Sequence, residues 1–235
     1  MCGKICVPLV GATLDELWAE VSALSGKPID LIEWRADCFA YPEHVLELLP
    51  LLHDMAAGLP ILFTYRQPSE GGRGKPLDSE DYEKLLTAAI QSNLIAMVDI
   101  EFSTLRKDHK NTDKNLLNIA KHHGVKTILS YHMPRIFRDG DMMQQIFHMM
   151  KTQGADIVKI VTPATSRVDG LIMLNLAAFA RKHCPEQPFI CLATGKHGTI
   201  TRRRALSLGA PFTFAAGKNP SAPGQLSIDE VSALC

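Results

Sequence analysis

Eight short apolar runs of strand length recur along the chain, at residues 4–10, 29–34, 60–65, 95–101, 127–131, 157–162, 189–194 and 211–215. Between them lie stretches with helical periodicity, at 14–24, 43–55, 82–91, 112–123, 142–152, 171–182 and 201–208. A strand that is apolar on both faces must be covered on both faces. In alternation with amphipathic helices that means a parallel sheet crossed by helices. Gly26, Gly58-Leu59-Pro60, Gly124, Gly154, Pro185 and Gly209-Ala210-Pro211 punctuate the junctions. Eight such units in 235 residues predict an α/β fold, a closed (β/α)8 TIM barrel occupying residues 1–235 as one domain, because such barrels usually run to about 250 residues. An open doubly wound sheet would carry a Gly-rich phosphate loop after its first strand, and Val10-Gly11-Ala12-Thr13 is not one.

Charge narrows the partners. The 25 Lys and Arg balance 25 Asp and Glu, so no global field draws in nucleic acid or an anionic membrane, although local arginine clusters can bind small anions. No apolar run is long enough for a transmembrane helix, and residues 1–10 lack a signal-peptide layout, so a cytoplasmic location is expected. Cys2, Cys6, Cys38, Cys184, Cys191 and Cys235 include no CxxC and are expected as free thiols. Cys2 and Cys6 have no second ligand pair to complete a tetrahedral site, so no metal is expected.

In a parallel barrel, chemistry gathers at the C-terminal ends of the strands. Lys159 stands alone in Asp156-Ile157-Val158-Lys159-Ile160-Val161-Thr162, and a buried ammonium is costly unless paired or neutralised. It is either an edge residue reaching water or an amine set up to attack a carbonyl. Other strand ends carry Glu33-Trp34-Arg35 with Asp37, Arg66 with Glu70, Asp99 with Glu101, and Tyr131-His132. A neutral imidazole such as His132 is a natural base near pH 7, and Glu70 is a candidate to fix its tautomer. Lysine, histidine and carboxylate together suit imine chemistry, in which the iminium acidifies a neighbouring C–H. Dehydratases and class I aldolases both fit, and a non-catalytic barrel that binds a small acid is the alternative of another kind. After the seventh strand, Gly198-Thr199-Ile200-Thr201-Arg202-Arg203-Arg204 offers arginines at a helix start, suited to a carboxylate. After the eighth, residues 217–225 are rich in turn formers and read as a loop over a ligand.

These residues match a known pattern. Glu33-Trp34-Arg35-Ala36-Asp37, Phe63-Thr64-Tyr65-Arg66 through Glu70-Gly71-Gly72, Ser130-Tyr131-His132, Ala155 to Ile160, and Ser221-Ala222-Pro223-Gly224-Gln225 occur in this order. The chain resembles the type I 3-dehydroquinate dehydratases from about residue 4 to its end. The resemblance implies that Lys159 forms a Schiff base with the C3 ketone of 3-dehydroquinate and that His132 acts as general acid and base, oriented by Glu70. It implies that Arg202 binds the substrate carboxylate, that Ser221 and Gln225 close from the last loop, and that Glu33, Arg35 and Arg66 hold ring hydroxyls. It further implies no metal or organic cofactor and a homodimer. Three positions depart from the pattern: Pro8 where a serine is frequent, Met133 where an acid or amide is frequent, and Leu192-Ala193-Thr194-Gly195 in place of a Met-rich stretch.

Overall fold

The computed structural model describes residues 4–105 and 112–234. Its strands are β1 (Lys4–Leu9), β2 (Leu31–Arg35), β3 (Ile61–Thr64), β4 (Met97–Glu101), β5 (Lys126–His132), β6 (Ile157–Pro163), β7 (Phe189–Thr194), β8 (Phe212–Ala216) and β9 (Leu226–Ser227). The helices are α1 (Leu14–Ser22), α2 (Val45–Met55), α3 (Ser79–Gln91), α4 (Phe102–Leu105), α5 (Thr112–His122), α6 (Gly140–Lys151), α7 (Arg167–His183), α8 (Thr199–Arg204) and α9 (Ile228–Ser232). The strands run parallel in the order β7-β6-β5-β4-β3-β2-β1-β8-β9, the sequence-neighbour order of the predicted barrel.

The seam is where expectation and structure part. Among the described residues no ladder joins β7 to β8. Ile190 and Leu192 of β7 nevertheless share one apolar cluster with Phe212 and Phe214 of β8, and with Cys6, Leu31, Leu62, Ile128 and Ile157. Ala205 and Ala210, from the chain after α8, belong to that cluster as well. Side-chain packing therefore closes the interior where backbone hydrogen bonds do not.

Alternation along each strand divides two environments. Ile32, Trp34, Phe63, Val98, Ile100, Leu129, Val158 and Ile160 turn outward into the layer under the helices, with Trp34 and Phe63 edge to face at 5.7 Å. Truncating either ring would cost about 3–5 kcal/mol. The residues between them face inward, apolar toward the strand starts and polar toward the strand ends.

Caps fix where several helices begin. Thr13, Asp78 and Asp139 accept from Glu16, Asp81 and Met142 backbone N–H groups, and Ser166 with Asp169 forms a reciprocal capping box on α7. Element ends differ from the sequence reading for local reasons. The second strand starts at Leu31, not residue 29, because the Asp30 carboxylate takes the Ile5 N–H at 2.8 Å. The eighth starts after Pro211, whose nitrogen has no proton for a ladder. The helix read at 201–208 begins at Thr199, ends at Arg204 and continues as turns, with Leu208 N–H on the Arg204 carbonyl at 3.0 Å. The unpredicted β9 and α9 follow the last loop, where Ser227 and Glu230 make a second capping box.

Cys6, Cys38, Cys184 and Cys191 are free thiols, while Cys2 and Cys235 lie outside the described residues. No helix among the described residues is long and apolar enough to cross a membrane.

Candidate active site

Inward-facing side chains at the strand ends build a polar floor. Lys159 is buried, and its amine is not alone: Nζ donates to Asp99 Oδ2 at 3.1 Å and lies 3.9 Å from Glu33 Oε1. The Phe214 ring lies under it, 4.5 Å from Nζ to the ring centre, an arrangement that favours a cation. The apolar run around Lys159 belongs to the other face of β6 and to the layer beneath. Its partners come from β4 and β2, which the run itself does not show.

Arg66, just past β3, ties the floor together. Nη1 donates to Glu101 Oε1 and to Ser130 Oγ, each at 2.9 Å. Nη2 donates to Asp99 Oδ1 at 2.9 Å, and Nη1 lies 3.6 Å from Glu70 Oε2. Ser130 Oγ donates to the same Asp99 oxygen at 2.5 Å. Burial works against ionised Asp99, but Arg66 and Lys159, with the Ser130 hydroxyl, hold its carboxyl below the usual range. Beside the floor, Arg35 grips Asp37 in a two-point fork at 2.8 Å on each oxygen. Asp37 also accepts the Arg66 and Arg73 backbone N–H groups, so it braces the loop that carries Glu70.

His132 ends β5, one strand over from Lys159, with Ser130 beside Lys159 and His132 beside Val161 in the ladder. Glu70 Oε2 accepts the His132 backbone N–H at 2.8 Å and lies 3.3 Å from Nδ1. A proton on Nδ1 shared with that carboxylate leaves Nε2 with its lone pair. Burial first, then the positive charges of Arg66, Lys159 and Arg35, push the imidazole well below 6.5. Burial also raises the Glu70 carboxyl, against Arg66, the Ser103 hydroxyl and the His132 N–H.

Above the floor is a cavity of about 340 Å³, reached by Glu33, Arg35, Arg66, Glu70, His132, Lys159, Arg202, Ser221 and Gln225. That volume suits a small molecule. Arg202 is 4% exposed, has no carboxylate within 4 Å among the described residues, and its Nε has no hydrogen-bond partner. Burial lowers its pKa to about 10. Of the three arginines in a row it alone is buried; Arg203 and Arg204 are exposed. Thr201 beside it anchors α8, donating to the Gly198 carbonyl and accepting the Ala193 N–H.

The last loop is pinned at both ends. Asn219 donates to Glu20 Oε1 at 2.9 Å, while Glu20 Oε2 takes the Val10 and Gly11 N–H groups. Farther on, the Pro223 carbonyl accepts the Gly195 N–H at 2.9 Å. Gly224, at φ +77°, sits so close that a Cβ would lie 2.4 Å from the Gly195 carbonyl oxygen. Within the loop, Gln225 Oε1, just past the second anchor, accepts the Ser221 backbone N–H at 2.9 Å.

The model of one protein family, Type I 3-dehydroquinase, matches residues 5–235. The chain belongs to the type I 3-dehydroquinase family. A 3-dehydroquinate dehydratase of Geobacillus sp. (strain WCH70) is 33% identical over 230 residues, covering 97% of this chain and 86% of the relative. One from Salmonella agona is 32% identical over 231 residues, with 97% and 90% covered. Among solved structures, the type I 3-dehydroquinate dehydratase of Clostridium difficile with covalently modified comenic acid superposes with a TM-score of 0.89 at 29% identity, covering 99% of this chain and 91% of that one. That of Geobacillus kaustophilus gives 0.87 at 32% identity, with 99% and 89% covered. Membership makes the chain a lyase of the dehydratase kind, with the TIM-barrel fold of those relatives.

In this type I dehydroquinase, all nine residues singled out from the sequence line one cavity. Asp99 and Ser130 carry as much of its floor, yet neither lines the cavity. Asp99 was legible as a strand-end carboxylate, and Ser130 stood in the Ser130-Tyr131-His132 motif but was given no role of its own. Of the departures, Met133 lines the cavity and Pro8 does not. The β1–β8 ladder stops at Cys6 and Phe214, two residues before Pro8.

Proposed function

We propose that this chain dehydrates 3-dehydroquinate to 3-dehydroshikimate, a shikimate-pathway step, through an imine on Lys159. The observation that carries the reading is the meeting in one cavity of a buried amine, a histidine held neutral beside a carboxylate, and a buried arginine with no anionic partner among the described residues. The covalently modified ligand of the Clostridium difficile relative supports covalent chemistry in this barrel.

The Lys159 ammonium passes one proton to the ketone oxygen as its nitrogen adds to C3, and that oxygen then leaves as water with a second proton from the nitrogen, which leaves an iminium. The iminium draws electrons from the adjacent C2–H bond, and His132 Nε2 takes that proton. The resulting enamine expels the C1 hydroxyl, which leaves as water with the proton returned by His132. Hydrolysis of the imine then frees Lys159 and the product. Glu70 holds the histidine's Nδ1 proton and so supports the imidazolium formed midway. Arg202 meets the substrate carboxylate, Ser221 and Gln225 cover it from the last loop, and Glu33, Arg35 and Arg66 face the ring hydroxyls. No step calls for a metal or an organic cofactor.

The test is borohydride reduction in the presence of 3-dehydroquinate, followed by peptide mass analysis. A reduced adduct on Lys159 is the expected outcome, and an adduct on a different lysine would refute the assignment. An aldolase acting on a sugar phosphate is disfavoured because Arg202, Ser221 and Gln225 offer a grip for a carboxylate and hydroxyls. We further propose a single catalytic domain that works in the cytoplasm as a homodimer, which sedimentation of the purified chain would check for its assembly.

A further inference from the structure

Beneath the cavity, four buried carboxylates crowd two cations. Apart from the His132 imidazole beside Glu70, the carboxylates of Glu33, Glu70, Asp99 and Glu101 have only Arg66 and Lys159 within ion-pair distance among the described residues. Arg35 is committed to Asp37, and His132 is held neutral. An enclosed surplus of negative charge is too costly to keep, and a carboxyl group relieves it by taking a proton.

Hydrogen bonding, depth and neighbouring charge together mark the acceptor of that proton. Asp99 touches both cations and the Ser130 hydroxyl. Glu33 is met by the Thr64 hydroxyl and Lys159. Glu70 is met at Oε2 by the His132 N–H and Arg66, and its Oε1, like Glu101 Oε2, has no hydrogen-bond partner among the described residues, but Glu70 reaches the cavity and Glu101 does not. Glu101 is fully buried, and both donors that reach it, Arg66 Nη1 and the Gln67 N–H at 2.8 Å, arrive at Oε1. Its Oε2 is buried with no partner among the described residues. Two further carboxylates face it, Glu70 from the β3 loop and Asp99 from its own strand, and both oppose a negative charge there. The neutral Tyr82 phenol of α3 packs against it through the backbone, its oxygen accepting the Glu101 N–H at 3.2 Å.

We propose that Glu101 is a positioning residue that carries a proton on Oε2 in the working enzyme, leaving Arg66 free to hold Glu70 in place behind His132. Burial, opposed by Arg66 but reinforced by Glu70 and Asp99, pushes its carboxyl up to about 8. Ionisation at higher pH puts a full charge against Arg66 Nη1. The 3.6 Å contact to Glu70 is the longest that Arg66 makes to a carboxylate, so it yields first. Turnover then falls because His132 loses its orientation, while Lys159 keeps its own contacts.

Glu101→Gln keeps an acceptor at Oε1 and an uncharged group at Oε2. The infrared difference between wild type and E101Q at pH 7 should show the carbonyl stretch of a protonated carboxylic acid, replaced by carboxylate bands above pH 8. The kcat profile of wild type should fall through about pH 8, and that fall should be missing in E101Q. Should E101Q not fold, wild type labelled with 13C at the glutamate side-chain carbons should show one carboxyl resonance titrating in the alkaline range. Carboxylate bands alone at pH 7, or all glutamates titrating in acid, would overturn the proton assignment. An acid band with the same alkaline fall in both proteins would overturn the positioning role. The kinetic arm rests on the His132 and Glu70 reading above. Borohydride trapping at Lys159 tests the imine separately and needs no Glu101, so the two can fail independently.

Discussion

Arg202→Met should make the ligand-free protein more stable and nearly blind to its substrate. The guanidinium is buried with no anionic partner among the described residues, and burial lowers its pKa from the ordinary arginine range to about 10. At ~1.4 kcal/mol per pKa unit, that displacement corresponds to about 3 kcal/mol of unrelieved desolvation. Methionine fills much of the stem's volume without the charge, so a gain of about 1–3 kcal/mol remains after lost packing, or roughly 2–10 °C in Tm for a chain of this size. The sign with pH is fixed. Below about 10 folded and unfolded chains both carry the proton, so the gain is flat through neutrality. Above it the folded wild type sheds the proton first and recovers the difference. A substrate carboxylate that loses its buried partner gives up about 2–5 kcal/mol, a drop of roughly 30- to 5,000-fold in kcat/KM. Urea unfolding without ligand and steady-state kinetics on 3-dehydroquinate supply the two readouts. A variant that is less stable than wild type yet keeps its KM would show that Arg202 is a structural residue, and the carboxylate assignment would fall.

Other outcomes follow from the same geometry. His132→Ala should still be trapped by borohydride at Lys159 while losing about 10²–10⁴-fold in kcat; near-normal turnover would remove His132 from its role. Because burial and neighbouring cations depress His132, the imidazole stays neutral until pH falls well below 6.5, so the acid limb of kcat/KM should lie below the ordinary histidine range, and a limb at 6.5 or higher would contradict it. Ser166→Ala removes the cap oxygen of α7 and should cost about 0.5–2 kcal/mol in urea unfolding with little change in kcat. Gly224→Ala drives a Cβ against the Gly195 carbonyl at a positive φ, so it should raise KM through a displaced loop while the melting temperature barely moves; an unchanged KM would mean that the contact does not set the loop.

Most of the barrel was legible because its strands are buried on both faces, which writes an unbroken apolar run, and its helices on one, which writes a period. What escaped depends on distant pairings. The open β7–β8 ladder is invisible in either strand, since Ile190, Leu192, Phe212 and Phe214 would be the same residues with or without it. The ninth strand holds two residues and has no pattern of its own, although Ser227 and Glu230 spell a capping box that announces the last helix. At the site, the nine cavity residues, Arg202 among them, came from motif order and the family resemblance, and what the sequence did not show is the helix phase that buries Arg202 while leaving Arg203 and Arg204 exposed.

Lys159 shows most plainly what a run of letters omits. Read along β6 it is an isolated charge whose burial needs an excuse. Read across the sheet it is one of two cations set among an excess of carboxylates, and the scarce quantity on the floor is positive charge. That reverses the question of how a lysine survives burial. The amine is well provided for by Asp99, Glu33 and the Phe214 ring; the carboxylates must be accommodated, through Arg66, two hydroxyls and a retained proton. Each carboxylate, apart from Glu101, stands next to a group that the proposed chemistry moves or charges: Asp99 and Glu33 by the amine, Glu70 by the imidazole. An excess of negative charge is the environment in which an iminium and an imidazolium, both cations formed during turnover, are stabilised relative to their neutral precursors. The same surplus that makes Glu101 keep a proton at rest would therefore lower the barrier when the substrate becomes a cation on Lys159.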